Sequence, residues 1–145
     1  MKKVLLLMMT VVLSFAKMEY SDPKPTFDEP RKWVIKVNSN NLEHLNHTLD
    51  SVNNVLKAYP MDTLKVAIIF YSKGMRLIKK DADPKTLERI DALIQYEVEM
   101  VGCKNTMDTM KWTENDFIED ISYVQTGLAE VIERVAGGWI EVTPY

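Results

Sequence analysis

The sequence predicts an α/β fold, with a mostly parallel five-stranded sheet lying between helical layers. Three observations predict it. Residues 64–71 are nearly continuously apolar, with Val66-Ala67-Ile68-Ile69-Phe70 at their centre, as a strand buried on both faces requires. Segments of helical periodicity alternate with short apolar runs, the pattern of right-handed βαβ crossovers. The helical segments also carry start and stop residues, Asp83-Pro84 and Gly137-Gly138 the clearest. A chain of 145 residues, 46% of them hydrophobic, makes one domain with a sizeable core.

The elements follow in order. Residues 17–31 hold Pro23, Pro25 and Pro30 among polar neighbours and read as an extended lead-in. Residues 32–145 form the single domain. Residues 33–37 are the first strand. Ser39-Asn40-Asn41 ends it and offers an N-cap, with Glu43 three residues after Asn40 as in a capping box. Leu42, Leu45, Leu49, Val52, Val55, Leu56 and Tyr59 then keep helical spacing as far as Pro60. The second strand covers 64–71, Ser72-Lys73-Gly74 closes it, and residues 75–79 make a short helical turn. Asp83 caps the next helix, whose buried face is Leu87, Ile90, Leu93 and Ile94. Residues 98–102 are the third strand, with Cys103 at its carboxyl end. Thr113 is expected to cap a short helix running to about Asp120, before a fourth strand at 121–124. Thr126 caps a helix carrying Leu128, Val131, Ile132 and Val135, and residues 139–142 finish as the fifth strand.

Residues 1–16 stand apart from this rhythm. Lys2-Lys3 precede a stretch from 4 to 15 that is apolar except for Thr10 and Ser14, and Ser14-Phe15-Ala16 places small residues where a signal peptidase cuts. The expectation is a secretory signal cleaved before Lys17, with a periplasmic destination. The competing reading is a retained N-terminal anchor, although about a dozen apolar residues are short for roughly 30 Å of hydrocarbon. Cleavage removes two lysines and takes the net charge from −3 to −5.

Charge and cysteine count exclude several functions. A net charge of −3 and a pI near 5.4 argue against nucleic-acid binding. One cysteine permits neither an intrachain disulfide nor a four-cysteine metal cluster. The loop Val37-Asn38-Ser39-Asn40-Asn41 has no glycine, so it is no phosphate-cradling loop for a nucleotide or flavin. No cofactor and no metal is expected. His44 and His47, spaced i, i+3, have the geometry for a shared ligand or for two solvent-facing side chains. Glu97 and Glu99 alternate on a strand near its amino end and read as edge or oligomer-contact charges. Trp33, Trp112 and Trp139 are too scattered for a stacking platform and read as packing residues, with Trp112 also placed to line the cysteine's pocket.

In open α/β sheets, ligands bind beyond the carboxyl ends of the strands. Three segments lie there: Asn38-Ser39-Asn40, Ser72-Lys73-Gly74 and Cys103-Lys104-Asn105-Thr106. The third carries the only thiol. A thiol at a strand end is expected to be partly exposed, and the amides of a following helix start, with Lys104 and Lys73, would favour its thiolate. Asn105 and Thr106 are placed to donate hydrogen bonds to a sulfur anion or a bound oxyanion. A packed structural cysteine is the alternative, because free cysteine is among the most buried residue types.

Cys103-Lys104-Asn105-Thr106-Met107 resembles the cysteine-x-Asn-Thr element of the DsrE/DsrF-like (YchN-like) proteins. Phe70-Tyr71-Ser72-Lys73-Gly74 with Leu77, the helix at 42–56 and the closing Gly138-Trp139-Ile140 are similar to other segments of that family, so the resemblance spans residues 33–143. It implies a three-layer α/β/α domain that assembles as a homo-oligomer, a trimer or a hexamer. It also implies that Cys103 is a persulfide carrier whose pocket Asn105 and Thr106 shape; Asn38, Ser72, Lys73, Gly74 and Lys104, placed by the carboxyl-edge rule, complete the expected substrate-binding set. With no second cysteine, the donor or acceptor thiol belongs to another molecule. The reading from another class is a non-catalytic ligand-binding or assembly subunit in which Cys103 merely packs.

Overall fold

The computed structural model describes residues 17–145, and the leader expected at residues 1–16 lies outside them. A five-stranded sheet and four helices position the site. The strands are β1 (Arg31–Val37), β2 (Leu64–Phe70), β3 (Glu99–Cys103), β4 (Ser122–Val124) and β5 (Ile140–Glu141). The helices are α1 (Leu42–Ala58), α2 (Pro84–Gln95), α3 (Lys104–Met110) and α4 (Gly127–Ala136). A seven-residue 3-10 helix covers Ser72–Ile78 and a single 3-10 turn covers Glu114–Asp116. Every strand pair is parallel, in the order β4-β3-β2-β1-β5.

That order explains the layers. From β1 to β4 the chain steps outward one strand at a time, then α4 carries it back across the sheet to pair β5 with the other side of β1. Right-handed crossovers in opposite directions must lie on opposite faces. The core divides accordingly, because alternate residues of a strand point to alternate faces. Ile35, Val37, Val66, Ile68, Phe70 and Met100 pack with Leu45, Leu49 and Val52 of α1, Ile90 and Leu93 of α2, and Met107 of α3. Val34, Ala67, Ile69 and Val101 face the other way and meet Val131 of α4.

The caps are specific. Asp83 accepts the Thr86 N–H at 2.9 Å and its hydroxyl at 2.9 Å, with Pro84 opening α2 as expected. The cap of α1 is Asn41, whose Oδ1 accepts the His44 N–H at 3.0 Å, not the pairing of Asn40 with Glu43. The helix begins at Leu42, so Asn41, extended at φ −79° and ψ 106°, is the residue whose side chain reaches the free N–H three positions on.

Three expectations are corrected. Thr113 does form a capping box with Asp116, but the helix stops after one turn. Phe117 is drawn into the core at 1% exposure, and Lys79 and Phe117 form an antiparallel bridge, so tertiary pairing takes the backbone from the helix. The last strand pairs only at Ile140 and Glu141 rather than over 139–142. Glu99 is no edge charge, since β3 lies between β2 and β4. Its carboxylate takes two hydrogen bonds from Arg134, at 2.8 and 3.0 Å, and Arg134 also bonds Glu130 and stacks on Trp139. This cluster fastens α4 to its face of the sheet.

Gly74 fixes the turn after β2. A Cβ there would stand 2.1 Å from the Val37 carbonyl oxygen, a backbone atom that cannot step aside. Gly74→Ala is therefore expected to lower unfolding free energy by roughly 2 kcal/mol, the usual cost of overpacking. A urea titration followed by circular dichroism checks this; an unchanged midpoint would mean the turn is free to shift.

Candidate functional site

The strand order builds the site. Strands β3 and β4 are neighbours, but α3 leaves β3 for one face while α4 leaves β4 for the other. A crevice opens at the carboxyl edge wherever neighbouring strands send their helices to opposite faces. Cys103 is the last residue of β3 and the N-cap of α3, so its side chain lies in that fork.

The sulfur is surrounded by backbone. The Gly127 N–H, at the first residue of α4, donates to Sγ at 3.3 Å. The Gln125 carbonyl lies 3.8 Å from Sγ, placed to accept from the protonated thiol. The Cys103 N–H donates to the buried Met75 Sδ at 3.4 Å. Cys103 is only 4% exposed, not the partly open thiol expected from its strand-end position. Three layers of connection, after β2, β3 and β4, close over it.

Two effects oppose each other at the thiol. Burial, the larger single influence, pushes its pKa up. The Gly127 N–H, which bonds the sulfur directly, pulls it down together with the Thr106 hydroxyl and amide and the Asn105 amide, whose dipoles favour an anion there, and together they win. The net direction is below an ordinary cysteine, so the thiolate is favoured by amides and a hydroxyl. The lysines do not do it. Lys104 turns to Glu114, 3.6 Å away, and Lys73 is no part of the sulfur's surroundings.

The other expected residues take distinct places. Thr106 Oγ1 accepts the Ser72 N–H at 2.9 Å, which holds Ser72 at a left-handed φ of 51° and ties the β2 loop to α3. The Asn105 side chain is committed to the β4–α4 loop: Oδ1 accepts from Gln125 Nε2 at 2.5 Å, and Nδ2 donates to Thr126 Oγ1 at 3.0 Å. Its N–H bonds the Gln125 carbonyl at 3.0 Å. Asn105 thus positions the loop that delivers Gly127. Gly74 lies buried beneath the β1 end. Asn38 is exposed there and approaches the Tyr71 hydroxyl at 3.5 Å, apart from the thiol. His44 stacks on Tyr145 with ring centroids 4.4 Å apart, and among the described residues no group of three metal-ligating side chains forms around it.

Gly127 is the residue the sequence reading missed. A Cβ there would meet Tyr71 Cβ at 2.9 Å and Cys103 Cβ at 3.3 Å. The signal was present in Thr126-Gly127: glycine inside the start of a helix weakens it, and its use there marks a close approach.

The model of the DsrE/DsrF-like family matches residues 34–143. Among solved structures, the fold is similar to that of a protein of unknown function, MTH1491, from Methanobacterium thermoautotrophicum. The TM-score is 0.71 at 17% identity, over 77% of this chain and 97% of that one. At that identity the likeness is one of fold. No curated protein matches the chain.

Thr106→Val removes a hydroxyl dipole that favours the thiolate and should raise the thiol pKa. Gly127→Ala should raise it as well, by forcing the amide away from the sulfur. Thiolate absorbance titrated against pH measures both, and a midpoint unmoved in both variants would show that these donors do not set the pKa.

Proposed function

This chain belongs to the DsrE/DsrF-like family, and we propose that it is a single-cysteine sulfur carrier. The observation that carries the reading is the Gly127 N–H at 3.3 Å from a thiol whose pKa is pulled below the ordinary value. The Cys103 thiolate attacks the outer sulfur of a sulfane donor R–S–S⁻. A new S–S bond forms at Cys103, the donor's S–S bond breaks, and R–S⁻ departs with the bonding pair. A second thiolate then attacks the outer sulfur of the Cys103 persulfide and returns Cys103 to the thiolate. Electrons balance without an external oxidant. The amide that holds the thiolate also stabilises it as the leaving group of the second step.

The acceptor thiol comes from another molecule, since Cys103 is the only cysteine. A homo-oligomer is part of the proposal. Leu128, Ile132 and Val135 of α4 are 46–58% exposed, as are Ile140 at the β5 edge and Val142 after it, apolar surface suited to a second copy. A periplasmic location belongs to it too, resting on the leader-like sequence of residues 1–16. Among the described residues no helix is long and apolar enough to cross a membrane. One observation favours the non-catalytic reading, a packed cysteine in an assembly subunit: the 4% exposure of Cys103.

Intact-mass measurement after polysulfide treatment separates the two. A carrier gains about 32 Da, one sulfur atom, at native pH, and Cys103→Ser does not. A thiol that reacts only on unfolding makes Cys103 a core residue. Independently, Ile132→Glu should convert an oligomer to monomer in light scattering; an unchanged mass would place the contact elsewhere.

A further inference from the structure

A groove of about 400 Å³ lies along α3, which Cys103 opens, and is lined by Ser72, Lys73, Arg76, Thr106, Thr109 and Trp112, with Asn105 and Met110. Its chemistry is one-signed. Lys73 and Arg76 are exposed cations, and among the described residues neither has a carboxylate within 4.0 Å. Arg76 lies 5.4 Å from the Trp112 ring centroid and Lys79 lies 5.1 Å from it. The hydroxyls of Ser72, Thr106 and Thr109 add neutral donors, and no acidic side chain lines the groove. All this belongs to a chain of net charge −3, so the positive field is local and is focused at this mouth. Thr106 joins groove and thiol, since it lines the one and stands three residues after the other in the first turn of α3, where it favours the thiolate.

We propose that this groove holds the anionic head of a small sulfane-sulfur donor while Cys103 takes its outer sulfur. The proposal rests on the carrier reading and narrows it. The donor is a low-molecular-weight oxyanion such as a thiosulfonate, or a carboxylate-bearing persulfide. Arg76 supplies a planar fork for two anion oxygens, Lys73 a mobile point charge, and the Trp112 face excludes water from one side. With thiosulfate, the Cys103 thiolate attacks the sulfane sulfur, the S–S bond of thiosulfate breaks, and sulfite leaves with the electron pair. Cys103 keeps one sulfur as the persulfide, and no co-reactant is consumed. Sulfite is released among cations that favour its charge.

The test uses two methanethiosulfonate reagents of similar size, one ending in a sulfonate and one in a trimethylammonium. Both form a mixed disulfide with Cys103 and expel methanesulfinate, so they read the groove's charge preference whether or not the protein carries sulfur. The wild-type protein should react faster with the anionic reagent. In Lys73→Gln/Arg76→Gln the rate ratio should fall about tenfold, with the neutral methyl reagent unaffected and the melting temperature unchanged. A wild-type ratio near one, or a ratio the double variant leaves alone, overturns the groove assignment. Thiosulfate and glutathione persulfide then identify the source of the anion, through a mass gain of about 32 Da that the double variant slows. If the charge preference holds but neither donor adds sulfur while polysulfide does, the donor assignment fails and the carrier reading stands. If no donor adds sulfur, the carrier reading fails with it.

Discussion

The site depends on one topological constraint: β3 and β4 are adjacent and parallel, yet their helices leave for opposite faces of the sheet. Two helix starts therefore diverge from one point, and the side chain at that point lies among amides that neither helix can satisfy internally. Cys103 occupies it, capping α3 while accepting from the first N–H of α4. A thiolate in such a fork is held by backbone dipoles fixed by the fold. That is a more durable arrangement than a lysine on a flexible stem, and it explains why Lys104 can turn away to Glu114.

Everything around the fork serves to keep it rigid. The Arg134 cluster with Glu99, Glu130 and Trp139 fastens α4 along its length. Asn105 grips Gln125 and Thr126, and so fixes the register in which Gly127 meets the sulfur. Thr106 and Ser72 join the third loop. Burial of the sulfur raises the energetic stakes on each of these contacts, because a hydrogen bond to an anion gains strength where water is excluded, and a lost one is felt fully. The same enclosure limits access, so small reagents and small donors suit this site better than large ones.

Much of the fold was legible because it rests on local signals. Asp83-Pro84 opened α2 as expected, and the apolar run became the central strand β2, buried on both faces. Local signals failed where a distant partner competed. Thr113 and Asp116 formed their box, but Phe117 went to the core and the helix ended. The carboxyl-edge loops were identifiable as a set, yet their division of labour was not: Thr106 faces the sulfur, Asn105 braces a loop, Gly74 packs beneath β1, and Asn38 stands apart.

The sequence by itself determined the alternation of strands and helices, the Asp83-Pro84 start of α2 and the Gly137-Gly138 stop of α4, and the presence of a single thiol at a strand end. Hydrophobic period and capping chemistry act over a few residues, so they can be read from neighbours along the chain. Only the tertiary structure decided the strand order and, with it, which helix points at the thiol. Gly127 lies 24 residues from Cys103 and bonds its sulfur. Arg134 lies 35 residues from Glu99 and clamps α4 to the sheet. Contacts of that kind depend on which side of the sheet the chain returns to, and no local propensity encodes that choice.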